Sequence, residues 1–114
     1  MRAEELKGHL DALLLATLEG GPRHGYAVIE ALRQSTGGRL DLPTGTIYPA
    51  LRRLEQAGLI AGTWSVVGGR RRREYQLTPA GVRALSGRRA AWRDFSAIVT
   101  SALENTACPS PNPA

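Results

Sequence analysis

Thr46, Tyr48, Arg52 and Arg53 lie in the stretch Leu42 to Ile60, LPTGTIYPALRRLEQAGLI, where the apolar residues Ile47, Leu51 and Leu54 recur at i, i+4 and i+7. That spacing predicts a helix that buries one side and turns the hydroxyl, the phenol and the two guanidiniums outward. Such groups hydrogen-bond to base edges and phosphate oxygens, so the segment has the make-up of a helix that reads DNA. A second cationic group follows at Gly68-Gly69-Arg70-Arg71-Arg72-Arg73, a glycine turn running into four consecutive arginines. Helix and basic turn together suggest two grips on one polyanion. The chemistry foreseen is binding, with phosphate contacts for affinity and groove contacts for register.

Each of these residues also has a purely structural use. Thr44 is placed to cap the helix with its hydroxyl, Thr44 and Gly45 to offer backbone N–H groups to an anion, and Gly58 to close the helix. Pro49 sits too deep for the unbonded first turn, so the helix loses a bond there or begins more tightly wound. Arg52 is assigned to a base and Arg53 to a phosphate, against the alternative of a solvated face pairing with Glu55 or Glu30. Strand alternation sends Arg71 and Arg73 one way and Arg70 and Arg72 the other, so about two or three of them, beside Gly69, reach DNA. His24, Gly25 and Tyr26 open another helix, whose N-terminus faces the DNA backbone; Tyr26 is equally suited to the core. Trp64 reads as a core residue. His9 and His24 are too far apart in sequence, with no cysteine nearby, to suggest a metal site.

The chain has 114 residues, 15 of them basic and 10 acidic, for a net charge of +5. The excess is local, since residues 22–78 hold nine arginines against Glu30, Asp41, Glu55 and Glu74. Arginine suits bidentate recognition of phosphate and guanine, although a GC-rich genome produces the same bias. One cysteine, Cys108, excludes an internal disulfide and fits a reducing compartment. The apolar run Leu10 to Leu18 is broken by Asp11 and preceded by Glu4 and Glu5, so it is neither a signal peptide nor a span, which needs about 20 apolar residues. A cytoplasmic protein without a membrane partner is expected. No phosphate-cradling glycine loop, metal cluster or nucleophile with a base is visible, so neither an enzyme nor a cofactor is expected.

Those residues need a frame to position them. Leu6, Leu10, Leu13, Leu14 and Leu18 predict a first helix over about residues 4–19, ended by Gly20-Gly21-Pro22. Tyr26, Ile29 and Leu32 predict a second from His24 to about Thr36, stopped by Gly37-Gly38, and the recognition-like segment is the third. Ile60 to Val67 and Arg72 to Leu77 read as a hairpin through Gly68-Gly69. Thr78 then caps a helix with Pro79 at its first position, running to about Glu104. Its stripe of Val82, Leu85, Trp92, Phe95, Val99 and Leu103 has no further helix to cover it. A second copy of the chain is the natural cover, in a symmetric interface that also takes in Leu6, Leu10 and Leu13. Residues 106–114 contain three prolines and are expected to be disordered. The fold class is therefore mainly α with a small β-hairpin (α+β). It divides into a winged helix-turn-helix DNA-binding domain over 1–78, a dimerisation helix over 79–105 and a tail over 106–114.

The runs GPRHGYAVIEALR, GTIYPALRRLEQAGLI and GRRRREYQLTPAGVRAL, in this order and spacing, resemble the PadR family of bacterial transcriptional regulators over about residues 6–86. The short remainder, one helix and no second domain, is similar to the small subfamily. The resemblance implies a homodimeric repressor on a pseudo-palindromic operator in double-stranded DNA, released by a small molecule. In some small members a tryptophan on the last helix lines a cavity between subunits and stacks on flat aromatic ligands, and Trp92 falls at the corresponding place. A cavity there would have Phe95, Ser96, Leu10 and Leu14 as walls, with Arg88 and Arg89 favouring anionic or electron-rich rings. The competing use of Trp92 is an apolar anchor in the dimer interface. The competing function is a ligand- or drug-sequestering protein for which DNA is secondary.

Overall fold

A computed structural model describes residues 8–105, an elongated body of 74 × 28 × 22 Å. Four helices and one three-stranded antiparallel sheet make up the described residues. They are α1 (Leu10–Thr17), β1 (Arg23–His24), α2 (Gly25–Ser35), α3 (Thr44–Gln56), β2 (Ile60–Val67), β3 (Arg70–Leu77) and α4 (Pro79–Asn105). Three helices followed by a two-stranded wing and a long last helix form a winged helix-turn-helix. Leu6, and the tail expected over residues 106–114, lie outside the described residues.

The core collects one face from each of the first three helices: Leu14, Leu15 and Leu18, then Val28, Ile29 and Leu32, then Ile47, Ala50, Leu51 and Leu54. In α2 the buried stripe is Val28, Ile29 and Leu32, whereas Tyr26 is 60% exposed. The tyrosine thus leaves the core, because the 100° turn per residue that buries Ile29 and Leu32 places Val28 inside. α1 ends two residues sooner than its apolar stripe suggests. Leu18 continues inward, but it and Glu19 donate to the carbonyls of Leu15 and Ala16 in a tightening turn.

α3 starts differently from expectation. Pro43 is extended (φ −74°, ψ 158°) and occupies the cap position, so Thr44 is the first helical residue and its hydroxyl caps nothing. The Pro43 carbonyl instead accepts from both Thr46 and Ile47, at 2.9 and 3.1 Å. This tight first turn precedes Pro49, which remains inside a continuous helix but has no N–H for the Gly45 carbonyl. The far end matches its reading. Gly58 takes φ +77°, Leu59 N–H donates to Leu54 O and Gly58 N–H to Glu55 O, a Schellman closure.

Gly68 and Gly69 both have positive φ, +60° and +78°, and join Val67 to its partner Arg70 as a two-residue turn. β3 therefore begins at Arg70, two residues earlier than expected, and all four arginines belong to the strand. Its other edge pairs with β1, a two-residue strand that sequence periodicity does not reveal. Thr78 caps α4, its Oγ accepting from Gly81 N–H at 3.1 Å and donating to Gly58 O at 2.6 Å. Gly81 touches the chain so closely that a Cβ there would lie 1.9 Å from the Leu59 carbonyl oxygen. Leu85 is buried in the core, not in an outer stripe. The root of α4 is thus part of the winged domain. No helix among the described residues is long and apolar enough to cross a membrane.

Candidate nucleic-acid interface

The structure brings the N-termini of α2 and α3 and the base of the wing together. His24 is extended and caps α2, its Nδ1 accepting from Ala27 N–H at 3.3 Å. It also belongs to β1, where it faces Glu74 of β3. Burial, and then the nearby Arg72, hold the His24 imidazole below its usual pKa. Gly25 follows, and the Tyr48 ring of α3 occupies the space a side chain would need; a Cβ on Gly25 would lie 2.4 Å from Tyr48 Cε1. Glycine at this point lets the two helices meet through a ring laid on backbone, which fixes the direction of Tyr48 while leaving it 40% exposed. Burial raises the pKa of the Tyr75 hydroxyl on neighbouring β3, with Arg73 opposing the shift.

Thr44, Gly45, Thr46, Pro49 and Arg52 are exposed along α3, and Arg52 makes no ion pair among the described residues. The first helical N–H groups, at Thr44 and Gly45, meet no side-chain cap and point toward solvent at the positive end of the helix. Arg53 stands elsewhere. Its Nη2 donates to Asp11 of α1 at 3.0 Å, so neither Glu55 nor Glu30 holds it and it braces two helices.

The wing arginines divide as alternation requires. Gly69, Arg70 and Arg72 are exposed on or beside the turn, while Arg71 and Arg73 share the other face with Trp64. Arg73 is half-buried. Its Nη2 pairs with Glu55 Oε2 on α3, a bond that raises the guanidinium pKa further. Trp64 is 58% exposed instead of buried, with the Arg71 and Arg73 guanidiniums over its ring in place of a packed layer.

The residues assigned to an effector and to a dimer lie along α4. Trp92, Phe95 and Ile98 are 53%, 56% and 60% exposed, and Val82 and Leu103 are exposed as well. Ile98 was not singled out by the sequence pattern, although it follows Phe95 by three. Val99 and Ser96 are half-buried, and Leu10 and Leu13 pack partly against the core. Trp92 has the His9 ring edge-on at 5.5 Å and Phe95 at 6.0 Å. One assignment fails here. Leu14 is fully buried and lines no cavity. Arg89 makes a two-pronged bond to Glu19 at 2.7 and 2.8 Å, which lowers the Glu19 pKa, and Arg88 donates to the Gly8 carbonyl at 2.9 Å. Both arginines fasten α4 to the residues that flank α1, Arg88 beside His9, whose ring meets Trp92.

The sequence matches the family described as transcriptional regulator PadR-like over residues 14–87. Transcriptional regulator Rv3488 of Mycobacterium tuberculosis is 39% identical over 85 residues, an alignment covering 75% of this chain and 66% of that protein. The crystal structure of a PadR family transcriptional regulator from Eggerthella lenta superposes with a TM-score of 0.77 at 34% identity, over 89% of this chain and 87% of that one. A transcriptional regulator from Clostridium thermocellum shares the fold, with a TM-score of 0.80 at 24% identity over 89% and 96% of the two chains.

Proposed function

The chain belongs to the PadR-like family of transcriptional regulators, and from that premise we propose that it is a cytoplasmic, homodimeric repressor of a pseudo-palindromic DNA operator, released by a planar aromatic effector. The observation that carries the DNA-binding part is the seat of Tyr48 on Gly25, which directs an exposed recognition-helix side chain beside an uncapped helix N-terminus and a basic wing. Tyr48, Thr46 and Arg52 read the major groove, while Thr44, Gly45, His24 and Tyr26 meet the backbone. Arg70, Arg71 and Arg72 follow the adjoining strand of DNA.

Residues 1–78 supply the reading head and 79–105 the dimerisation helix, rooted in the head through Gly81 and Leu85. Exposed Val82, Trp92, Phe95 and Ile98 support a second copy as the cover for α4. An effector would lie against Trp92 and its symmetry mate, with Phe95, Ser96 and Leu10 as walls.

The test is retardation of the DNA upstream of the chain's own gene against a random duplex of equal length. The repressor reading expects binding at least about 10³-fold tighter to the former at physiological salt. Equal affinity for the two, together with quenching of Trp92 by flat aromatics, favours a sequestering protein instead.

A further inference from the structure

The two faces of the wing differ. Trp64 is opposite Arg73, and Val66 opposite Arg71, on the face that also carries Ile60 and Tyr75 into the core. The Arg71 guanidinium carbon lies 4.5 Å from the Trp64 ring centroid and that of Arg73 lies 5.3 Å from it. Arg73 is fully engaged. It pairs with Glu55, and its guanidinium fills the space over Gly62, where a Cβ would come within 2.7 Å of Nε. Arg71 makes no ion pair among the described residues and is exposed. Stacking uses the flat face of a guanidinium and leaves its N–H groups in the ring plane free to donate. An arginine held this way also loses less rotamer freedom when it meets a phosphate.

We propose that Trp64 is a positioning residue for DNA binding: its indole holds Arg71 extended for a backbone contact and separates it from Arg73, the strut between wing and recognition helix. The inference rests on the DNA-binding reading above. It assigns unlike tasks to arginines two residues apart, and it explains a large exposed indole on the wing.

The test is a double-mutant cycle in the full chain, read as affinity for a random duplex of about 30 base pairs across a salt series. In the parent, Arg71→Ala weakens binding about tenfold and lowers the salt slope by about one. In a Trp64→Ala background the same change costs no more than about twofold, because the platform is already gone. Trp64→Ala alone weakens binding about fivefold, so that this loss and the residual twofold together make up the tenfold; Trp64→Tyr restores it, and Arg70→Ala has the same effect in both backgrounds. Equal Arg71→Ala losses with and without Trp64, or unchanged affinity in Trp64→Ala, would overturn the assignment. If Trp64→Ala loses its helical circular dichroism, Trp64→Thr replaces it in the cycle, since threonine keeps the strand and removes the platform. A parent chain that fails to bind the duplex at about 50 mM salt overturns the DNA-binding reading itself, an outcome distinct from additivity.

Discussion

The winged half of the molecule and the outer half of α4 are built on opposite terms. In the first, close approaches are filled from within, Tyr48 on Gly25, Gly81 on the Leu59 carbonyl, with Leu51 and Leu54 buried, and the exposed apolar side chains Tyr26, Trp64 and Val66 are spread over α2 and the wing. In the second, Trp92, Phe95 and Ile98 are more than half exposed on one helix. Apolar area left in water forgoes about 25 cal/mol per Å² of stabilisation, so covering this face would stabilise the chain. The comparison teaches that the winged half buries its core within one chain, whereas α4 carries an apolar face that one chain leaves in water, the face proposed above for a second copy.

Matched substitutions sharpen this contrast. Leu51→Ala removes buried methyl groups from α3 and should lower unfolding free energy by about 2–5 kcal/mol at any protein concentration, measured by denaturant titration. Ile98→Ala removes comparable groups from α4. It should change the stability of the isolated chain by less than about 0.5 kcal/mol, while raising the dimer dissociation constant about tenfold or more in a dilution series. Equal, concentration-independent losses at the two sites would erase the distinction.

The smallest expected effect concerns His24. Its folded-state pKa lies below the unfolded value, so the unfolded chain binds more protons and stability rises with pH. The contribution is present above the ordinary imidazole range and is lost as pH falls through the folded value, when Nδ1 takes a proton and ceases to accept from Ala27. His24→Ala should cost about 0.5–1 kcal/mol near neutral pH through the lost cap. His24→Asn, which keeps an acceptor without titrating, should flatten the fall in melting temperature between about pH 7.5 and 5.5. A parent and an Asn variant with parallel pH profiles would assign the titration elsewhere.

What could be read from the chain alone was local. The turn at Gly68-Gly69, the Gly58 closure and the Thr78-Pro79 start each depend on a few adjacent residues, and each lies where the residues said. Errors arose where a distant neighbour decided. Pro43 displaced Thr44 from the cap because the extended linker ends at Pro43, so α3 begins one residue earlier than the hydroxyl suggests. β1 exists only because β3 offers it an edge, and Leu85 is buried only because α4 starts against Gly58 and Leu59. Arg53 found Asp11, Arg73 found Glu55 and Arg89 found Glu19, pairings across 42, 18 and 70 residues that no periodicity contains. Trp64 was the instructive case. Alternation set Arg71 and Arg73 apart from Arg70 and Arg72, but that Trp64 lies opposite Arg73 follows from the strand register, and that it is exposed follows from the tertiary packing.

Sedimentation velocity of the chain bound to its upstream duplex tests the account most directly, because it counts reading heads. Two chains per duplex are expected, and a Phe95→Glu/Ile98→Glu variant with unchanged helical signal should sediment as a monomer and release the duplex. Saturation by a single chain, or a monomeric variant that holds the duplex as tightly as the parent, would contradict it.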